Sequence, residues 1–123
     1  MKRTLKLNKD LKPCSKMEFK EWRNFYIDEP IYVDSYGFFD TKSISIMEEY
    51  IKAGFTDKKQ PIDWKLASNT YITLSADELI QVHTQLVEKY TERRARIFLI
   101  SRTVEESGKF PLLLEVRDRS FWQ

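Results

Sequence analysis

The spacing of apolar positions changes several times along the chain, and each change marks an element. Phe19, Trp22 and Tyr26 recur at three- and four-residue intervals, which predicts a helix near 16–26. Ser15 and Glu18 stand before that stripe in the order of a capping box, each side chain placed for the other's orphan backbone N–H. Asp28-Glu29-Pro30 ends the helix, because proline disfavours helical backbone in the residue before it. Ile31–Asp34 is β-branched and aromatic, Ser35-Tyr36-Gly37 offers a turn, and Phe38-Phe39 resumes apolar character, which predicts a hairpin or bent strand. Asp40–Ser43 supplies possible N-caps. Ile44, Met47, Tyr50 and Ile51 then line one helical face, and Gly54 sits where a glycine stops a helix. Ahead of all this, residues 3–8 (RTLKLN) alternate weakly and read as a short strand.

The stretch 64–79, WKLASNTYITLSADEL, is the best punctuated. Trp64–Ala67 reads as a strand, Ser68-Asn69 as a turn and Thr70–Leu74 as a second, β-branched strand. Ser75 and Glu78 form another capping box, with Leu74 and Leu79 placed as a hydrophobic staple. Leu79, His83, Leu86 and Tyr90 continue the apolar stripe, widened by Ile80 and Val87, and no breaker appears before Gly108 and Pro111. A helix over 76–105 would be about 45 Å long, more than a small domain is wide. It therefore breaks near Arg93–Arg96 or extends past the core. Ile97–Ile100 is apolar all round, where a surface helix has a polar side. Lys109–Asp118 reads as a last strand, followed by Phe121 and Trp122. The apolar helix end is covered either by that strand or by a partner.

These elements predict an α+β protein: one domain, with a small antiparallel sheet and two or three helices, one of them long and in the C-terminal half. Residues 1–30 form a basic, aromatic N-terminal segment, 31–106 the core sheet–helix unit, and 107–123 a C-terminal strand and aromatic tail. In that arrangement Trp64 and the 70–74 strand share a sheet with 31–39.

Composition narrows the chemistry. The chain has 123 residues, 41% hydrophobic and 33% charged, which suits a folded soluble protein with a modest core. No apolar run approaches the roughly 20 residues that span a bilayer, and the basic start has no apolar stretch behind it, so neither a membrane span nor a signal peptide is predicted. Residues 1–20 hold seven Lys/Arg against Asp10 and Glu18, a bias read as a solubilising terminus ahead of a surface for nucleic acid or acidic protein. Cys14 and His83 are the only thiol and imidazole, too few for a zinc site. His83 lies on the apolar stripe and reads as a satisfied core or half-buried histidine. Glu48-Glu49 and Glu105-Glu106 are sequence neighbours that point apart on a helix. No phosphate-loop, nucleophile-elbow, zinc-protease or calcium-loop pattern occurs. No catalytic residue, cofactor or metal ligand is therefore assigned. Lys89, Arg93, Arg94, Arg96 and Arg102 are interleaved with Glu88, Glu92, Glu105 and Glu106, which reads as a salt-laced face ahead of a nucleic-acid surface.

The order of signals resembles a small bacteriophage domain of unknown function found in tail-fibre, tail-fibre-assembly and other tail-associated proteins. The resemblance covers roughly residues 31–100. It is carried by Phe39, Asp40 and Ser43 stepping into a helix, then Trp64, Asn69, Thr73, Leu74, Ala76 and Leu79. This chain departs from the pattern in a more charged final helix and in its own terminal segments. The resemblance implies a tail or assembly protein in the virion or host cytoplasm, working by contact with other virion proteins or with copies of itself. A phage factor that binds and inhibits a host protein is the rival, and a nucleic-acid-binding module the third reading. The residues expected to meet a partner are Phe19, Trp22 and Phe25 in the first helix, Ile97, Phe98 and Ile100 in the long one, and Phe121 and Trp122 at the end.

Overall fold

A computed structural model describes residues 10–123; the strand expected over 3–8 lies outside them. The elements in chain order are α1 (Lys16–Ile27), β1 (Ile31–Val33), β2 (Gly37–Phe39), α2 (Ser43–Lys52), a 3-10 turn (Phe55–Lys58), β3 (Ile62–Lys65), β4 (Tyr71–Leu74), α3 (Ala76–Ser107), the short α4 (Leu113–Val116) and a closing 3-10 turn (Arg119–Trp122). The fold is mixed α+β. Its residues gather into two compact units: a terminal unit from the residues up to Ile27 with Arg93–Gln123, and a central unit of Asp28–Glu92. The division falls between Ile27 and Asp28 and again between Glu92 and Arg93, within α3.

In the central unit, the two hairpins form separate two-stranded antiparallel sheets, β1–β2 and β3–β4. This corrects the single sheet expected over 31–39 and 70–74. The outward carbonyl of Phe38 accepts one bond from Ala67 N–H at 3.0 Å, and the chain then turns at Asp40 into α2, so pairing goes no further. β3 also begins two residues earlier than expected and Ala67 lies in the turn. That turn carries Asn69 at φ 67°, with Asn69 N–H on Leu66 O at 2.9 Å and Leu66 N–H on Thr70 O at 2.8 Å. It is the three-residue hairpin loop in which an αL residue follows a type I turn. Ile31, Val33, Phe39, Met47, Trp64, Leu66, Leu74, Leu79, Val82 and Leu86 make one core. Ile80 and Val87 do not widen that stripe; both are exposed, and Val82 is buried in their place. Trp64 enters the core edge-on to Tyr50, with its indole N–H donating to Ser43 Oγ at 3.1 Å.

The entry to α3 follows the expected cap. Glu78 N–H donates to Ser75 Oγ at 3.1 Å and Ser75 N–H to Glu78 Oε1 at 3.0 Å, while Leu74 and Leu79 are fully buried. Glu78 Oε2 also accepts the Tyr36 hydroxyl at 2.8 Å. The helix does not break at Arg93–Arg96. It runs unbroken to Ser107, residues 76–92 belonging to the central unit and 93–107 to the terminal one, and Gly108 at φ 69° ends it.

The terminal unit is closed where the segment before α1 meets the segment after α3. Ser15 and Glu18 cap α1 reciprocally, at 2.9 and 3.1 Å. The expected C-terminal strand is reduced to one bridge, Pro13 with Leu112, framed by Cys14 N–H on Pro111 O at 2.8 Å and Leu113 N–H on Lys12 O at 3.0 Å. The Glu115 carboxylate then accepts Leu112 N–H at 3.3 Å, so the leucine-rich run turns into α4, as its helix propensity favours.

Hydrogen bonds from Ser75 N–H and then the Tyr36 phenol hold the Glu78 carboxyl below its ordinary range, and the same pairing holds the Tyr36 phenol above its own. A depressed folded-state carboxyl contributes stability that is present above the unfolded value of about 4.3 and is lost as pH falls through the folded value. The raised phenol contributes below about 10 and loses that contribution as pH rises through its folded value. In urea unfolding across pH 3–7, Glu78→Gln should therefore flatten the acid-side loss of stability. At neutral pH, Ser75→Ala should cost about 1 kcal/mol through loss of the cap. An unchanged acid slope in the Gln variant would mean that other carboxylates dominate acid unfolding.

Candidate interaction surfaces

All eight residues expected to meet a partner fall in the terminal unit, but most of their apolar surface faces inward. Phe19, Ile97 and Trp122 are buried completely or nearly so, which corrects their assignment as partner surface. Trp122 is the centre of this unit's core. Its ring lies 5.2 Å from Phe19, 4.9 Å from Phe121 and 6.4 Å from Tyr26, centroid to centroid, and its indole N–H donates to Val116 O at 2.8 Å. Phe110 meets Phe19 edge-on at 5.5 Å, and the Tyr26 hydroxyl donates to Arg117 O. Trp22, Ile100 and Phe121 are half-buried.

Of the expected surface, Phe25, Phe98 and the Leu99 of the same helix end remain outward, with 55%, 36% and 65% of their surfaces exposed. Phe98 lies between two guanidinium groups, the Arg23 and Arg94 carbons each 4.9 Å from its ring centroid. Arg23 is held there by Ser101 Oγ at 3.2 Å and Glu105 at 3.9 Å. The ring is thus clamped in place yet half open, an amphipathic rim of aromatic and cationic groups.

The arginines of α3 are not simply a salt-laced face. Arg93 donates to the carbonyl of Ile27, the last residue of α1, at 3.2 Å, and Arg96 reaches Trp122 O at 3.4 Å. Both satisfy backbone acceptors that the ends of elements leave open. In the central unit, Lys89 Nζ donates to the carbonyl of Tyr32, within β1, at 2.6 Å. Arg102 pairs with Glu106 at 2.8 Å on the surface. Burial, and next the charge of Glu18, push the Cys14 thiol up, which keeps it from being a ready nucleophile. His83 is half-buried as expected but not satisfied, its Nε2 being buried without a hydrogen bond. Among the described residues no group of three or more His, Cys, Asp or Glu could hold a metal ion, and no helix is long and apolar enough to cross a membrane.

The central unit has a surface that sequence reading did not find. An open cleft of about 410 Å³ lies along Asp63–Leu66 of β3, bounded by Asp40, Lys42, Ser43, Ile46 and Tyr50 on one side and by Asn69 and Tyr71 on the other. Tyr71 is 68% exposed. The alternation of Asp63, Lys65 and Tyr71 with buried neighbours was a legible sign of an outward sheet face; the cleft itself depends on where α2 packs.

Comparison of the chain with family models, with curated proteins and with solved structures finds no match.

Two substitutions separate core from surface in the terminal unit. Trp122→Ala should cost about 3–5 kcal/mol, whereas Phe98→Glu, at an exposed position beside two arginines, should stay within about 1 kcal/mol of the parent. Chemical denaturation followed by circular dichroism reads both, and a large loss for Phe98→Glu would make Phe98 structural.

Proposed function

We infer that this chain is a tail-associated structural or assembly protein of a bacteriophage, acting by protein–protein contact and catalysing no reaction. The contact mode rests on one observation: Phe98 and Leu99 stay exposed beside the buried Ile97, in the part of α3 that belongs to the terminal unit, and the guanidinium groups of Arg23 and Arg94 lie over the Phe98 ring. An aromatic ring fixed before binding loses little conformational freedom when it docks, and aromatic and arginine side chains are the groups that dominate protein interfaces. The tail assignment rests on the motif order over 31–100. Its cap and staple, Ser75 with Glu78 and Leu74 with Leu79, make a rigid block that can hold such a surface steady.

Virion parts are commonly symmetric, so size-exclusion chromatography with light scattering should give a defined oligomer. Phe98→Glu with Leu99→Glu should reduce it to monomer without unfolding it. The same pair of substitutions in the phage that carries the gene should lower the yield of infective particles at least tenfold. A chain that is monomeric at every concentration, together with unchanged particle yield, would overturn the proposal.

A further inference from the structure

The open edge of β3 points to a second docking surface, in the other unit. Leu66 and Thr70 are a hydrogen-bonded pair, Leu66 N–H donating to Thr70 O at 2.8 Å. With the register Trp64↔Ile72 and Ile62↔Leu74, the alternation of an antiparallel ladder makes those pairs hydrogen-bonded too. Asp63 and Lys65 therefore direct their backbone N–H and C=O groups away from β4. The next residue on that outer edge, Ala67, shows what the edge can do: its N–H donates to Phe38 O of β2 at 3.0 Å. Among the described residues, the edge is paired at Ala67 and unpaired at Lys65 and Asp63, the two edge residues before it.

The open part borders the solvent-open cleft, which Asp63, Trp64, Lys65 and Leu66 all line. The Trp64–Ser43 hydrogen bond fixes the start of α2 against β3, so α2 walls the cleft while leaving the edge uncovered. Charged side chains often protect such edges. Here, however, the Asp63 carboxylate is engaged with Thr73 Oγ1 on β4 at 3.0 Å, which draws it away from the open side. The cleft volume, about 410 Å³, lies in the range of ligand sites. What two alternate backbone donors and acceptors complement is another extended backbone.

We propose that the β3 edge takes an extended segment of a partner protein as an added strand. The added backbone bonds Asp63 and Lys65, an inward apolar side chain packs by Ile46 and Tyr50, and an outward one lies beside the Asp63 and Lys65 side chains. Strand addition of this kind takes affinity from main-chain bonds and selectivity from alternate side-chain pockets. The proposal rests on the contact reading above but uses none of the residues of the Phe98 rim.

The test pans a random heptapeptide display library against the full chain and synthesises a selected peptide. Binding should slow amide exchange at Asp63 and Lys65, and N-methylating alternate amides of the peptide should weaken it at least tenfold. Lys65→Pro, which removes an edge N–H that β4 does not use and is of the kind edge strands accept, should weaken binding similarly, while Lys65→Ala should not. If Lys65→Pro fails to fold, the N-methylated peptides decide. Binding indifferent to N-methylation, or no peptide selected, overturns the proposal. So does protection of Asp63 and Lys65 by a second copy of the chain in the absence of peptide. Peptides that map to Phe98 and Leu99 also overturn it, while leaving the contact reading standing; loss of particle yield on changing Phe98 and Leu99 tests that reading separately.

Discussion

The carboxylate of Glu78 ties together three parts of the central unit. One oxygen returns to Ser75 N–H and starts α3; the other takes the hydroxyl of Tyr36 from the turn between β1 and β2. A helix start, the end of β4 and the first hairpin are therefore registered on a single side chain. The apolar counterpart is the pair Leu74 and Leu79, fully buried on either side of the cap. Polar and apolar constraints acting at the same bend leave the chain one way to leave the strand, and the packing of Trp64, Met47 and Val82 follows from that direction.

The terminal unit solves a different problem. Its helices have too little apolar surface to close a core by themselves, so the chain's last residues supply the missing ring. Trp122 fills the space against Phe19 and Tyr26, and its indole N–H finds Val116 O, so no polar atom of the ring is left unbonded in the core. Arg93 and Arg96 bond the carbonyls of Ile27 and Trp122, tying the ends of α1 and of the chain to α3. Cationic side chains that look like a binding face in one dimension are here part of the scaffold.

The two candidate surfaces among the described residues differ in kind. The Phe98 rim offers side chains, an aromatic ring clamped by guanidinium groups with Leu99 beside it. The β3 edge offers backbone, two residues of an interrupted ladder inside a cleft. The first suits a globular partner with a complementary patch, and the second an extended segment. Each belongs to one unit and draws its rigidity from that unit's own core.

Local signals were legible wherever adjacent residues settle the matter among themselves. Ser15 with Glu18, Ser75 with Glu78, the turn at Ser68-Asn69 and the glycine stops at Gly54 and Gly108 all act within a few residues, so sequence alone determined the starts of α1 and α3, the place of the second hairpin's turn and the ends of α2 and α3. By contrast, α2 starts at Lys42 with no side-chain cap, although Asp40–Ser43 offered several. The long helix was legible as a periodic stripe, but not its continuity past Arg93, which depends on a second core being present to receive Ile97 and Ser101. Whether an aromatic residue is core or surface was likewise not a local property. Trp122 and Phe19 are buried, and Phe98 is not, because the segment before α1 and the residues after α3 meet, at Pro13 and Leu112, and bring Trp122 onto Phe19. The separation of the hairpins into two sheets was equally a tertiary outcome. Leu112 and Phe38 have the chemistry of longer strands, yet Glu115 turns one into a helix and Asp40 leads the other into α2. Spacing states which residues share a face; only packing decides what that face meets.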